Sequence, residues 1–367
     1  MSRIERRIFS ELSNEVSEKK RAELKARLAI YYYQKGEIEK ANHEVFEVRQ
    51  WLSASSDSTV MVYINLAEST CLYQLGAPAE AALKARRAYA VSCASARPDL
   101  IAFSASWLAH LEFNSDNHES TICLLGESLV RADGAESVAQ ARCFSLVADI
   151  FNFCGDFPAA GPWYRKARSA AVEDGDEIML GQIIYNSAIY RFNNIRLSSV
   201  AGEIFPEESR FTELMIDSTS NYDLGVKSTA FKSLLPMLNA QLLTFRGKYA
   251  EACEIFENWL GPTESRVDYR MSCLCLADYA FSLAKLGQTQ AALEQLTRFS
   301  ESEHHALPTD DASLVSFQMS GLYNITGNQS LAEAYYRRAR VELRKTLDIQ
   351  AQTLALLKAT LTDKLGV

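Results

Sequence analysis

The chain has 367 residues, 48% of them hydrophobic and 23% charged, and its formal net charge is −8. This balance is typical of a folded, water-soluble protein. The negative charge argues against a dedicated nucleic-acid binder, because phosphate contacts need a concentrated basic surface. No apolar run approaches the roughly 20 residues that a membrane span needs, and the charged N-terminal segment lacks the apolar core of a secretory signal. We therefore predict a cytoplasmic protein that binds neither nucleic acid nor membrane.

The chain opens with an amphipathic pattern. Ile4, Ile8, Leu12 and Val16 recur every four residues, a spacing that places them on one face of a helix. The residues between them are mostly polar or charged. The pattern therefore predicts a capping helix within residues 1–20, with its apolar face turned toward the elements that follow.

One turn sequence recurs along the chain at a nearly constant spacing. Apolar helical segments end at a glycine, which favours the left-handed backbone common at helix C-termini. The distance from Gly36 to Gly76 is 40 residues, and the same distance recurs twice near the C-terminus. A fixed period of this length is the signature of stacked repeats. The third unit lacks the glycine, and Asp116 takes its turn position. The turn glycines are Gly36, Gly76, Gly155, Gly247, Gly287 and Gly327.

The second helix of each unit also carries a recurring pattern. A small residue stands five positions after the turn, and an apolar or aromatic residue follows four positions later in most units. Two such helices cannot bury their apolar faces alone, so neighbouring pairs must stack. The small residues are Ala41, Ala81, Ala160, Ala252, Ala292 and Ala332, and the apolar ones are Val45, Tyr164, Phe256, Leu296 and Tyr336. We predict an all-α fold, an α-solenoid of stacked antiparallel helix pairs.

This combination of positions resembles the tetratricopeptide repeat. The first helix carries a small residue at Ala29, Ala148, Ala240 and Ala280, and the second helix carries Ala-x-x-x-aromatic-x-x-Ala at Ala160, Tyr164 and Ala167 and at Ala332, Tyr336 and Ala339. Units near 40 residues exceed the usual length of about 34. They resemble the longer variant of bacterial regulators, such as the ligand-sensing superhelix of maltotriose-responsive activators and some peptide receptors. The resemblance implies a right-handed superhelix that binds a partner.

The spacing also predicts how the units are grouped. The 92 residues between Gly155 and Gly247 are too many for two standard units, and a polar, irregular segment follows Pro206. We therefore predict an N-terminal lobe of about five repeats at 21–205 and an insertion or hinge at 206–228. A C-terminal lobe of about three repeats would follow at 229–345.

The C-terminal segment 346–367 is predicted to be a further helix. Leu347, Leu354 and Leu361 stand seven residues apart, and Leu357 lies between them. Such a stripe is typical either of a capping helix docked on the last repeat or of a homodimer seam. Both interpretations remain open from the sequence.

A candidate binding surface comes from residues just before five successive turns. Each unit places an aromatic residue beside a carboxamide, and the first helices of stacked repeats line the concave face. Carboxamides can bond to backbone N–H and C=O groups, so a row of them would hold an extended peptide. The alternative is that these residues only pack or cap local backbone. The candidates are Tyr33, Gln34, Tyr73, Gln74, Phe113, Asn114, Asn152, Phe153, Phe192 and Asn193, together with His110 on the same predicted face.

The sequence carries no recognised catalytic pattern. A phosphate-binding glycine loop, a Gly-x-Ser-x-Gly elbow and a His-Glu-x-x-His helix are all absent from it. His304 and His305 stand among acidic residues, but adjacent histidines in a polar loop are usually solvated. A basic run from Arg337 to Lys345 spreads around a helix, which favours a solvated face over an acidic-partner patch. We predict no catalytic residue, no metal and no cofactor.

The functional prediction is a non-enzymatic adaptor or regulatory module that captures a protein or peptide on its concave face. The alternative is a ligand- or peptide-sensing bacterial regulator whose C-terminal helix relays the bound state to an output partner.

Overall fold

The structure is a computed structural model that describes residues 1–131, 137–203, 206–226, 234–260, 269–297 and 307–366. All regular secondary structure within these residues is helical. The helices are α1 (Arg3–Asn14), α2 (Glu18–Lys35), α3 (Ile38–Ala54), α4 (Ser58–Gln74), α5 (Pro78–Ala94), α6 (Pro98–Asn114), α7 (His118–Leu129), α8 (Ser137–Phe153), α9 (Phe157–Asp174), α10 (Glu177–Ala201), α11 (Pro206–Val226), α12 (Leu234–Phe245), α13 (Tyr249–Trp259), α14 (Tyr269–Lys285), α15 (Thr289–Leu296), α16 (Thr309–Ile325) and α17 (Gln329–Leu365).

From α2 onward the helices form antiparallel pairs, and each pair packs on the next. The predicted turn glycines all have positive φ, for example 84° at Gly36 and 80° at Gly327. Asp116 also has a positive φ, of 59°. An aspartate tolerates this backbone better than most residues because its short side chain can bond locally. The predicted all-α solenoid of stacked helix pairs is confirmed.

A close approach of the paired helices explains the small residues. Ser69 on α4 donates its hydroxyl hydrogen to the carbonyl of Ala81 on α5, at 2.8 Å. Ser320 on α16 makes the same contact with the carbonyl of Ala332, also at 2.8 Å. Both serines stand seven residues before the turn glycine, where other units have alanine. A larger residue there would push the two helices apart.

The fifth pair differs from the prediction. The sequence analysis placed Phe192 and Asn193 immediately before a turn, but α10 continues past them to Gly202, whose φ is 87°. They lie inside a 25-residue helix. The segment from Pro206 that was predicted as an insertion or hinge contains α11, which packs along α10. Thus α10 and α11 form a longer helix pair, and the lengths of these helices account for the irregular spacing in the sequence.

The C-terminal helix joins the two ends of the stack. The predicted boundary at residue 346 lies inside α17, a single helix of 37 residues. Its last turns pack on α7 and α8, where Leu357 and Leu361 belong to the core of the N-terminal pairs. Gln350 donates to the carbonyl of Phe153 at 2.6 Å, and Lys358 pairs with Asp156 at 3.0 Å.

These contacts bear on the predicted dimer seam. Leu357 and Leu361 are 0% and 4% exposed within a single chain. Leu354 is partly buried on the same core, whereas Leu347 is exposed. Three of the four leucines, Leu354, Leu357 and Leu361, therefore pack this helix on its own chain.

Candidate functional site

The first helix of the chain lies against the first helices of several pairs. A capping box starts α1, because Ser2 accepts from the backbone of Glu5 while the Glu5 carboxylate accepts from the backbone of Ser2. The buried face of α1 carries Ile4, Ile8 and Leu12, which join the N-terminal core. The apolar periodicity in the sequence therefore marks the face that packs.

The contacts of α1 reach far along the chain. Ile4 and Ile8 share a residual cavity of about 30 Å³ with side chains from α2, α6 and α8 and from the α9–α10 junction. A helix of 12 residues is only about 18 Å long, so the N-terminal pairs must curl around it. We call the surface that α1 covers the inner groove. It is lined by Ile30, Tyr31, Gln34, Phe103, Val138 and Asp176.

An ion pair fixes one side of α1. Arg7 donates to the carboxylate of Asp174 at 2.8 Å and to its backbone carbonyl at 3.0 Å. Glu5, on the same helix, lies 3.5 Å from the Lys35 ammonium. Asp176 accepts from the backbone of Met179, and burial raises its pKa to about 6. The inner groove therefore combines apolar side chains with the polar Arg27 and Gln34 of α2, and it is acidic where α9 meets α10.

A cluster of rings lies one helical turn further along the same inner helices. The His110 ring stacks on Trp107 at 5.5 Å, and Tyr73 meets both rings edge-on. Asn114 donates to the Tyr73 hydroxyl at 2.8 Å, and the Arg142 guanidinium lies 4.3 Å from the centre of the Trp107 ring. We call Tyr73, Trp107, His110, Asn114 and Arg142 the inner-face cluster.

The inner-face cluster adjoins the inner groove. Trp107 stands four residues after Phe103, and Arg142 stands four residues after Val138, so each pair occupies successive turns of one helix face. Burial, together with the charge of Arg142, lowers the pKa of His110 to about 3, so its ring is neutral near pH 7. Burial lowers the pKa of Arg142 to about 10, and its Nε has no hydrogen-bond partner.

Several predicted site residues are used in packing. Tyr33 and Gln34 are buried, and the Tyr33 hydroxyl donates to Asn42 at 2.7 Å. Asn152 is buried and donates to the Tyr164 hydroxyl at 3.1 Å. Gln74 is exposed. The carboxamides therefore have different environments in successive pairs.

The remaining predicted residues fall into separate groups. Phe113 and Phe153 meet edge-to-face at 5.6 Å, whereas Phe192 packs on Phe245 further along the chain. Asn193 retains a buried Oδ1 without a hydrogen-bond partner. The structure thus brings together Tyr73, His110 and Asn114, with Phe113 and Phe153 in a neighbouring contact.

Trp107, Arg142 and α1 were not among the predicted site residues. Helical spacing could have found Trp107, since it precedes His110 by three positions. Arg142 lies within an apolar helix, and an arginine in such a setting is itself a signal of a buried contact. That α1 covers these helices depends on the curvature of the stack, which no local pattern shows.

The inner helices of the C-terminal pairs are joined by a different kind of contact. Asp278 on α14 pairs with Arg196 on α10 at 2.8 Å, and both side chains are almost fully buried. Gln241 and Gln318 donate to the same carboxylate at 3.2 and 2.6 Å. Burial raises the pKa of Asp278. This network ties four inner helices around one carboxylate.

The described residues contain no group of three or more His, Cys, Asp or Glu side chains placed to hold a metal. His304 and His305 lie outside these residues. The eight cysteines are free thiols, and Cys93 and Cys123 are exposed. In the part of the chain that the structure covers, no helix has the length and apolar character to cross a bilayer.

The fold defines an α-helical repeat protein, in which stacked helix pairs surround a central surface. Among solved structures, the apo form of RapI matches with a TM-score of 0.49 and 14% sequence identity, over 94% of this chain and 91% of that chain. No protein-family model matches the sequence, and no curated protein matches it significantly. The fold described above rests on the helix packing of the chain itself.

Proposed function

We propose that this chain is a regulatory helical-repeat protein that binds a protein or peptide segment on the inner face of its N-terminal pairs. The observation that carries the proposal is the position of α1, an amphipathic helix seated across the inner helices. A surface that buries one amphipathic helix has the shape and the chemistry to receive another.

The contacts of α1 suggest which segment would bind. Its face offers aliphatic residues four positions apart at Ile4 and Ile8, and a basic residue at Arg7 that meets Asp174. A partner segment would be an amphipathic helix with the same spacing and a basic residue for the acidic side of the inner groove. Rim charges of this kind fix register more than they add affinity.

In this mechanism α1 is a displaceable occupant. The α1 helix is short, and a short helix depends on tertiary contacts for its stability. The Arg7–Asp174 pair is partly exposed to solvent, so its contribution is small, about 1 kcal/mol or less. A partner helix that buries more apolar surface would replace α1 and reach the adjoining inner-face cluster.

The test uses the full chain and a fluorescent peptide of residues 1–16 as the probe. Ile8→Asp places a carboxylate in the apolar contact and releases α1, so the probe should bind this variant at least tenfold more tightly than wild type. Phe9→Asp is the matched control, because Phe9 is 39% exposed on the same helix. The proposal fails if the probe binds all three proteins equally, or if it binds none of them.

The alternative role, a sensor that relays its state through the C-terminal helix, is favoured by one contact. Gln350 on α17 donates to the carbonyl of Phe153, whose ring lies against Phe113. Hydrogen exchange of the same proteins can be measured with and without the probe. Probe binding would change exchange in the last turns of α17 if a relay operates. An adaptor without a relay would leave that exchange unchanged.

A further inference from the structure

The last repeat has an open groove where other repeats are covered. The groove lies between α14, α16 and the start of α17 and encloses about 430 Å³. We call it the terminal groove. Its lining includes Phe281, Phe317, Ser320, Glu333, Tyr336 and Arg337.

The same position in other repeats shows how such a groove is covered elsewhere in the stack. The residue nine positions after the turn is buried in five repeats, at Val45, Ala85, Leu125, Tyr164 and Phe256. The equivalent residue of the last repeat, Tyr336, is 45% exposed. In these five repeats the following helix pair packs beside this position, whereas α17 continues as one helix of 37 residues and leaves Tyr336 uncovered among the described residues.

The second repeat gives the detailed template. There, α6 lies against the α4–α5 pair, and the indole of Trp107 donates to the Ser69 hydroxyl at 2.8 Å. Glu112, five residues further along α6, pairs with Arg86 on α5 at 2.5 Å. The two contacts fix both the depth and the register of the covering helix.

The terminal groove has the same two residue types that contact the covering helix in the second repeat. Ser320 and Arg337 occupy the positions of Ser69 and Arg86 relative to the turn glycine. The Ser320 hydroxyl donates to the Ala332 carbonyl just as Ser69 donates to Ala81, which leaves its oxygen directed as an acceptor. Arg337 is exposed at the rim.

We propose that the terminal groove binds an acidic amphipathic α-helix of a partner protein, which takes the place of the missing next inner helix. The helix would present an aromatic donor to Ser320 and a carboxylate, one and a half turns later, to Arg337. Arg337, exposed at this rim, supplies the positive charge that such a carboxylate would meet. This site is separate from the inner groove of the proposed function.

The experiment measures fluorescence anisotropy of the full chain with a labelled 17-residue peptide of the α6 sequence, Pro98–Asn114. This peptide carries the tryptophan and the glutamate at the required spacing. We expect saturable binding that Arg337→Glu weakens at least tenfold. A peptide with lysine in place of Glu112 should restore binding to that variant. Arg344→Glu, on the same helix beyond the groove, is the matched control and should bind like wild type.

Three results would overturn the proposal. The first is the absence of saturable binding to the wild-type chain. The second is equal binding by wild type and Arg337→Glu, which would place the peptide elsewhere. The third is concentration-dependent dimerisation in sedimentation that Tyr336→Asp abolishes, which would make a second copy of the chain the occupant. Tyr336 and Arg337 are exposed, so both variants should fold, and circular dichroism verifies this.

Discussion

The second and the last repeats are built from the same parts and differ in what lies on them. In both, a serine seven residues before the turn glycine donates to an alanine carbonyl of the paired helix, and an arginine stands ten residues after that glycine. In the second repeat α6 covers these groups, where Trp107 donates to Ser69 and Glu112 pairs with Arg86. In the last repeat the same groups line an open groove.

The comparison shows that each repeat has a helix-binding surface as a consequence of how the repeats stack. Stacking requires every pair to offer an apolar groove with a few polar anchors to the next helix. Wherever the chain supplies no next helix, the groove remains available to another molecule. The N-terminal pairs illustrate the opposite outcome, because α1 occupies their inner groove.

The largest expected difference between the two repeats comes from removing a covering side chain. Trp107→Ala deletes the buried indole that donates to Ser69. The same indole stacks on His110 and contacts the Arg142 guanidinium. This change should lower the free energy of unfolding by about 3–5 kcal/mol. Tyr336→Ala, at the open groove, should change the free energy of unfolding by less than about 0.5 kcal/mol. Thermal unfolding followed by circular dichroism measures both, and similar shifts in melting temperature would contradict the comparison.

Covering a repeat also changes the protonation of its carboxylates. In the fourth repeat, Asp149 is covered by α10 and accepts from Tyr164 at 2.7 Å and from Asn186 at 2.9 Å. Burial raises its pKa from 3.8 to about 7. The unfolded carboxyl group therefore loses its proton first as pH rises, and this group's contribution to stability falls between about pH 4 and pH 7.

Asp149→Asn should remove that pH dependence. The slope attributed to Asp149 is at most about 1.4 kcal/mol per pH unit. The measurement is the melting temperature of wild type and variant at several values between pH 4 and pH 7. Wild type should lose stability relative to the variant as pH rises through this range. A constant difference across the range would show that Asp149 is ionised in the folded state.

The smallest expected effect is the difference in stability lost when each of the two serines is replaced by alanine. Ser69→Ala removes the acceptor of the buried Trp107 N–H, which should cost about 1–3 kcal/mol because a buried donor loses its partner. Ser320→Ala removes only its bond to the Ala332 carbonyl, beside an open groove, and should cost about 1 kcal/mol or less. Denaturant midpoints of the two variants measure the difference, and an equal loss would mean that covering adds nothing at this position.

Much of the repeat architecture was predictable from the sequence, and much of the site was not. The glycine period predicted the turns, and the spacing of Ile4, Ile8 and Leu12 predicted the buried face of α1. The row of aromatic and carboxamide pairs was predicted as one binding surface, yet Tyr33 and Asn152 bond to their own or neighbouring pairs while Gln74 is exposed. Residues at the same distance from a turn meet different neighbours, because the stack curls and the helices differ in length.

Local patterns by themselves determined that this chain forms helix pairs with tight turns, since positive φ at glycine and close approach at alanine or serine depend on only a few neighbouring residues. The tertiary structure alone decided where each surface finds its partner. It placed α1 in the inner groove, returned the end of α17 to the N-terminal pairs and left the terminal groove open. Those outcomes depend on the summed curvature of the stack, which is a property of all the pairs together.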